Sequence, residues 1–225
     1  DSLTNVEKRS FTSLPGQTLY MHGVKNDRNG YWDAFYTVNF LTGDDRTVYK
    51  AVNISTTPSK EVVGKYYEVV KVWTKTDYLS AGCCLLLREK ESGDEMYYNP
   101  FRYPLSMTCI GYYEKLKRFV GQTFLSLAKA VETEDGQVIT PAEGAEYRCV
   151  DIGLKMNSDG AFLLMEGADG VRVEAFPIGG DEVYEFVSTA RIGQLEKRYG
   201  EKYGKLIAFR KVDTALRAFC KNLSK

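Results

Sequence analysis

The chain has 225 residues, 44% of them hydrophobic, so it can bury one large core or two small ones. Lysine plus arginine number 30 and aspartate plus glutamate also number 30. This zero net charge offers no electrostatic basis for binding nucleic acid or an anionic membrane surface. No apolar run reaches the length of a membrane-spanning helix, so a membrane span is excluded as well.

The N-terminal stretch, residues 1–13, is polar and begins with Asp1 rather than methionine. Such a stretch suits a short tether behind a removed signal peptide or a lipidated cysteine, and an arbitrary boundary is the alternative. The first interpretation predicts an exported protein that is periplasmic or on the cell surface, with or without a lipid anchor.

One short sequence pattern, typical of a strand, recurs along the chain. "PGQTLYM" at 15–21 returns as "VGQTFLS" at 120–126, and a looser echo, "YGKLIAF", occupies 203–209. Because self-similarity points to repeated structure, the pattern predicts three related strands. After the first of them, residues 26–50 form an insertion that reads as a hairpin with its turn at Gly43 and Asp44.

The segments between these strands also match each other. "GKYYEVVKVW" from Gly64 aligns with "GAEYRCVDIG" from Gly144, and each is followed by an apolar strand, a glycine-bearing turn and another strand. Apolar residues at helical spacing then predict short helices near 110–120 and 192–199, and a further helix from Asp213 to the end.

Two copies of one small β-unit account for these matches. The predicted fold is mainly β: two tandem, duplicated, partly open β-barrels with short helices and a C-terminal helix. The predicted division is a tether at 1–13, a first unit with the hairpin insertion at 14–118, a second unit at 119–212 and the helix at 213–225.

The motif G-x-x-Y-x-x-V-x-V/I, followed by an apolar strand, a glycine turn and a strand, resembles the SH3-like barrels that occur in pairs on exported bacterial envelope proteins. The resemblance covers 64–129 and 144–211 and rests on the spacing of hydrophobic residues. The chain is also similar to uncharacterised secreted or lipoprotein-type proteins of the Bacteroidetes. The resemblance implies a module that binds peptides, cell-wall or glycan fragments, or neighbouring envelope proteins.

Catalytic chemistry has weak support in the sequence. The five cysteines lie among apolar neighbours without a C-x-x-C spacing, so we expect Cys83 and Cys84 to be reduced core residues, and we expect no metal and no cofactor. The single histidine, His22, ends a strand, a position more typical of surface or turn residues. Acidic clusters at 43–45, 132–136 and 179–182 are typical of solvated turns. A hydrolase using a carboxylate pair or a cysteine with His22 remains the alternative to a non-enzymatic protein.

Aromatic side chains are the best candidates for recognition, since stacked rings suit sugars, proline-rich peptides and partner proteins. They cluster in the first copy, where we expect an exposed groove, although core packing is the competing interpretation. The candidate ligand-binding residues are Tyr31, Trp32, Trp73, Tyr98, Phe101 and Tyr103. The sequence therefore predicts a non-enzymatic binding or protein-interaction module, without naming its ligand.

Overall fold

The structure is a computed structural model that describes residues 13–23, 30–43, 47–52, 55–74, 82–102, 106–179 and 182–209. It is mainly β, with several sheets and a few short helices, which confirms the predicted class. The chain forms two compact units, Asp1–Lys115 with Leu154–Ala161, and Leu116–Gly153 with Phe162–Lys225. The division near 115 lies close to the boundary expected at 118, but nothing in the sequence pattern pointed to the assignment of 154–161 to the first unit.

The first unit is built on an open antiparallel sheet. Its strands are β1 (Thr18–Met21), β2 (Tyr31–Trp32), β3 (Phe35–Tyr36), β4 (Thr57–Pro58), β5 (Tyr66–Thr74), β6 (Cys83–Glu89), β7 (Glu95–Tyr98) and β8 (Met107–Cys109). The order across the main sheet is β3-β7-β6-β5-β1-β8, and β2 pairs with β4 beside it. Helix α1 (Ile110–Leu116) and a 3-10 turn (Lys117–Phe119) follow β8, as the helical spacing predicts.

The second unit has its own antiparallel sheet and a helical hairpin. Its strands are β9 (Thr123–Ser126), β10 (Val131–Thr133), β11 (Val138–Ile139), β12 (Glu146–Gly153), β13 (Phe162–Gly167), β14 (Arg172–Ala175), β15 (Pro177–Gly179), β16 (Glu182–Val183) and β17 (Phe186–Ser188). The main sheet runs β11-β10-β14-β13-β12-β9-β17, and β15 pairs with β16. Helices α2 (Thr189–Tyr199) and α3 (Glu201–Ala208) complete the described part.

The two main sheets have the same strand order, which confirms the duplication. Read from β8 in the first sheet and from β17 in the second, β8-β1-β5-β6-β7-β3 corresponds to β17-β9-β12-β13-β14-β10. Even the irregularities match, because the pairing register shifts at Val69/Lys71 in one sheet and at Cys149/Asp151 in the other.

The repeated "GQT" motif has one structural role in both copies. Gly16 and Gly121 have φ of 83° and 87°, a region that glycine enters without the steric penalty of a Cβ. Each then donates its N–H to the strand that follows in the sheet, Gly16 to the Val69 carbonyl and Gly121 to the Cys149 carbonyl, both at 2.8 Å. The sequence echo is therefore the signature of one turn that starts the first strand of each unit.

The third echo was predicted as a strand, and this is wrong. Residues 203–208 lie in α3, which packs antiparallel against α2. Gly204 permits the close approach, since a Cβ there would collide with the backbone of Glu196. The match to "GQT" strands was misleading because Leu206 and Ala208 alternate as in a strand, while Tyr203 and Ile207 also fit helical spacing.

Three other sequence predictions concern segments that the structure describes only in part or not at all. The insertion does pair as a hairpin, with Thr37 donating to the Thr47 carbonyl at 2.8 Å and Tyr49 to the Phe35 carbonyl at 3.1 Å. The predicted C-terminal helix at 213–225 and nearly all of the predicted tether lie outside the described residues. Among the helices that the structure describes, none is long and apolar enough to cross a membrane.

Candidate binding face

Two of the candidate aromatic residues belong to the core of the first unit. Trp32 is 1% exposed and Tyr98 is fully buried, and both rings pack on Phe35, at centroid distances of 5.8 Å and 4.8 Å. Tyr98 also shares a hydrogen bond of 3.2 Å with the Ser106 hydroxyl. The expectation that they line an exposed groove does not hold, because register turns both side chains toward the interior.

The other candidates are more accessible but scattered. Tyr31 is 43% exposed beside β4, and Phe101 is half-buried in a turn where its N–H donates to the Asn99 side chain at 3.1 Å. Tyr103 lies outside the described residues. Tyr31 lies in β2 and Phe101 in the turn after β7, so these candidates belong to different elements of the first unit.

Trp73 does lie in a cluster, with Tyr97, a residue that is not among the six candidates predicted from the sequence. Its ring is 5.8 Å from the ring of Tyr97, with an interplanar angle of 43°. The Lys71 ammonium lies 4.8 Å from the centroid of the Trp73 ring, a cation–π geometry. Both aromatic side chains are half-buried and Lys71 is exposed, so ligands can reach this cluster from solvent.

The sheet register explains why these side chains meet. Lys71 pairs with Leu86, Leu86 with Tyr97, and Tyr97 with Tyr36, so one row crosses four strands on the side opposite the core. Residues directly opposite in antiparallel strands point to the same side of the sheet. The Tyr36 ring in turn lies 5.0 Å from Phe40. We call this surface the aromatic face, formed by Tyr36, Phe40, Lys71, Trp73, Leu86 and Tyr97.

Charges beside the aromatic face are largely neutralised. In the neighbouring row, Arg88 contacts Glu95 at 2.8 Å and Glu68 at 3.4 Å, with all three side chains partly exposed. The pKa of the Arg88 guanidinium is raised by these carboxylates, Glu95 first. Among the described residues no carboxylate lies within ion-pair distance of Lys71. The face therefore presents aromatic rings together with one lysine that has no acidic partner among the described residues.

The second unit carries different chemistry on the equivalent surface. The row that matches Lys71, Leu86, Tyr97 and Tyr36 consists of Asp151, Leu164, Glu174 and Glu132. Glu132 and Glu174 are register partners, so their carboxylates lie on the same side of the sheet. Gly153 stands where the first unit has Trp73, and the ring of Phe162 covers it. The aromatic face is thus a property of the first unit alone.

His22 is buried rather than at the surface, which corrects the sequence expectation. Its Nδ1 lies 2.8 Å from the Lys155 carbonyl and its Nε2 lies 2.6 Å from the Thr108 hydroxyl. Since a carbonyl only accepts, Nδ1 carries the proton and Nε2 accepts from Thr108. The Thr108 oxygen also accepts the N–H of Ala161 at 3.1 Å. Burial lowers the pKa of His22, against the opposing influences of the Lys155 carbonyl and Asp159.

The cysteines of the described chain are buried free thiols, as the sequence predicts for Cys83 and Cys84. Burial raises the pKa of both thiols to about 12 and that of Cys149 to about 11, which suppresses the nucleophilic thiolate. Cys109 donates to the Gln17 side chain at 2.6 Å. Both ring nitrogens of His22 are engaged by groups other than a thiol, so the geometry does not assemble a cysteine–histidine pair.

The second unit also contains a groove of about 290 Å³ between β17 and the helical hairpin. Its lining mixes apolar side chains with the polar side chains of Glu182, Ser188 and Arg191. Within the described ranges, no three histidine, cysteine or acidic side chains are grouped so as to hold a metal ion.

Comparison of the chain with protein-family models, with curated proteins and with solved structures finds no significant match.

Proposed function

We propose that the protein is a non-enzymatic binding module of the cell envelope and that its ligand docks on the aromatic face of the first unit. The observation that carries the proposal is the half-exposed pair of Trp73 and Tyr97 with Lys71 over the indole ring. Aromatic rings with one accessible face supply a large contact area to a ligand at small entropic cost.

The second unit supports this interpretation because it provides an internal comparison. It reaches the same strand order with Asp151, Gly153 and Glu174 at the equivalent positions. On this face the second unit carries the buried ring of Phe162, but it has no ring at the positions of Trp73 and Tyr97, so the scaffold folds without half-exposed rings there. Added recognition chemistry on one copy of a repeated scaffold is a common way for such a copy to acquire a binding role.

Binding can be tested with variants of the face. We expect the wild-type protein to co-sediment with isolated bacterial cell-wall sacculi or to bind proline-rich peptides in titrations, and W73A/Y97A to lose at least about tenfold in affinity. Y184A is the matched control, because Tyr184 is 48% exposed in the second unit and also has a lysine, Lys129, over its ring at 3.5 Å. Binding of W73A/Y97A equal to that of wild type would refute the proposal.

The location is a separate part of the proposal, supported by the resemblance to paired envelope modules. Fractionation of cells that naturally produce the protein tests it: recovery with the envelope is expected, and recovery only in the cytosol contradicts it.

The alternative function, hydrolysis by a carboxylate pair or by a cysteine with His22, has less support. Glu132 and Glu174 are register partners, but Glu174 is 4% exposed. His22 and Thr108 are fully buried. Loss of a measured hydrolytic activity in E132Q or in H22A, with the fold retained, would favour this alternative.

A further inference from the structure

We infer that the ligand of the aromatic face is a glycan whose sugar ring carries a carboxylate. This inference rests on the proposed function and specifies the ligand of the same surface.

The rings favour a sugar. Trp73 and Tyr97 lie side by side on the face of a sheet, with Leu86 between Lys71 and Tyr97 in the same row. A pyranose ring has a flat face of C–H groups that stacks on an aromatic ring, while its hydroxyl groups stay hydrated at the rim. This combination suits half-exposed rings, whereas an apolar peptide side chain gains most from complete enclosure.

Lys71 favours an acidic sugar over a neutral one. Its ammonium is exposed and 4.8 Å from the indole centroid, and no carboxylate of the described chain is within ion-pair distance. The neighbouring Arg88 is already engaged by Glu68 and Glu95, which leaves Lys71 as the available cation of this face. A carboxylate on a sugar stacked over Trp73 or Tyr97 can accept a charge-assisted hydrogen bond from Lys71.

The equivalent row of the second unit gives the inference an internal contrast. Asp151 occupies the position of Lys71, and Glu174 that of Tyr97. Like charges repel an acidic ligand there, so the second unit cannot take the same ligand on its equivalent surface. We therefore expect one acidic glycan site per chain.

The test is a titration followed by tryptophan fluorescence or calorimetry at low and at physiological salt. The two acidic probes are a galacturonic acid tetramer and a muramic-acid-containing disaccharide, which carry the carboxylate on different sugars. Cellotetraose is the neutral probe. We expect wild type to bind at least one acidic probe about tenfold more tightly than cellotetraose, and less tightly at higher salt. K71Q should remove that preference, W73A should weaken binding of every probe, and Y184A should behave as wild type.

The outcomes separate this inference from the proposed function. Equal affinity of wild type for acidic and neutral probes, or an unchanged preference in K71Q, overturns the inference and leaves the binding face standing. No saccharide binding at all, together with loss of peptide or sacculus binding in W73A/Y97A, also overturns the inference alone. Unchanged binding of every tested ligand in W73A/Y97A overturns both. Circular dichroism of each variant confirms that the fold is retained.

Discussion

The same side of the first strand is covered by an irregular segment in the first unit and by a helical hairpin in the second. In the first unit, His22, just after β1, and Thr108 of β8 contact the irregular segment 154–161. In the second unit the corresponding residues are Leu127 and Val187, which pack against the helical hairpin of α2 and α3.

The polarity of the residues at these equivalent positions matches the element that covers them. An irregular segment brings unpaired backbone groups, and His22 and Thr108 satisfy two of these, the Lys155 carbonyl and the Ala161 N–H. A helix satisfies most of its own backbone, so the surface beneath it gains most from apolar contact. The residues at these equivalent positions of the duplicated sheet therefore differ together, because the element that covers them differs between the two units.

The largest expected effect lies in the helical cover of the second unit. Gly204→Ala places a Cβ against the backbone of Glu196, and neither helix backbone can yield without separating the hairpin. We expect the free energy of unfolding to fall by about 3 kcal/mol, measured by urea denaturation followed by circular dichroism. Gly193→Ala is the matched control, since Gly193 is exposed in α2 with open space around it, and it should stabilise by about 0.5–1 kcal/mol. Equal stability of the two variants would contradict the close approach.

The polar cover of the first unit should depend on His22. His22→Ala removes two hydrogen bonds of a buried side chain, from Nδ1 to the Lys155 carbonyl and from the Thr108 hydroxyl to Nε2, at a cost of about 2 kcal/mol. Both tryptophans of the chain, Trp32 and Trp73, lie in this unit, so the fluorescence transition reports on it selectively. Lys155→Ala serves as the control because the main-chain carbonyl remains. A larger loss in the control than in His22→Ala would show that the ring contact is not what stabilises the segment.

The units should respond to pH in opposite directions. Burial lowers the pKa of His22 below 6.5, so the unfolded chain binds the proton more readily, and stability of the first unit falls as pH drops below about 6.5. In the second unit, burial raises the pKa of Glu185 above 4.5, so its contribution is present at low pH and is lost as pH rises through the folded-state pKa.

Fluorescence and hydrogen exchange measured from pH 4 to pH 8 read the two units separately. Since His22 is the only histidine of the chain, H22A should flatten the acid-side slope of the first unit, and E185Q should flatten the slope of the second. If the stability of the first unit in H22A still falls at acid pH as it does in wild type, groups other than His22 cause that fall.

The smallest effect is expected where the units differ only in the signs of a row of charges. Arg88 lies between Glu68 and Glu95 in one sheet, and Glu166 lies between Arg148 and Arg172 at the equivalent place in the other. The triple exchange E68R/R88E/E95R recreates the arrangement of the second unit and should leave the urea midpoint unchanged, because exposed ion pairs contribute little. R88E alone, which gathers three carboxylates, should lower the midpoint at low salt and less at high salt. A salt-independent loss in the triple variant would mean that the direction of the ion pairs matters to packing.

The duplicated sheet was predictable because its signals are local. Gly16 and Gly121 mark the same turn, and Tyr67 and Tyr147 occupy the same buried position in matching strands. The choice between Tyr97 and Tyr98 was not predictable, because adjacent residues of a strand face opposite sides and only the pairing with Leu85 and Leu86 decides which is outside.

Burial of His22 also could not be read from the sequence, since its partners are more than eighty residues away in the chain. The echo in α3 failed for a different reason, because a short apolar run satisfies both strand and helix periodicity.

The place of segment 154–161 in the chain has a consequence for biosynthesis. A ribosome releases the strands of the first unit early, yet this unit lacks its last segment until the nascent chain has passed residue 161, well into the second copy. Folding during translation therefore cannot finish the units strictly one after the other, in contrast to most tandem repeats. The two copies are therefore not independent folding units, and cleavage at 118 would yield an N-terminal fragment in which His22 and Thr108 have lost their partners from segment 154–161.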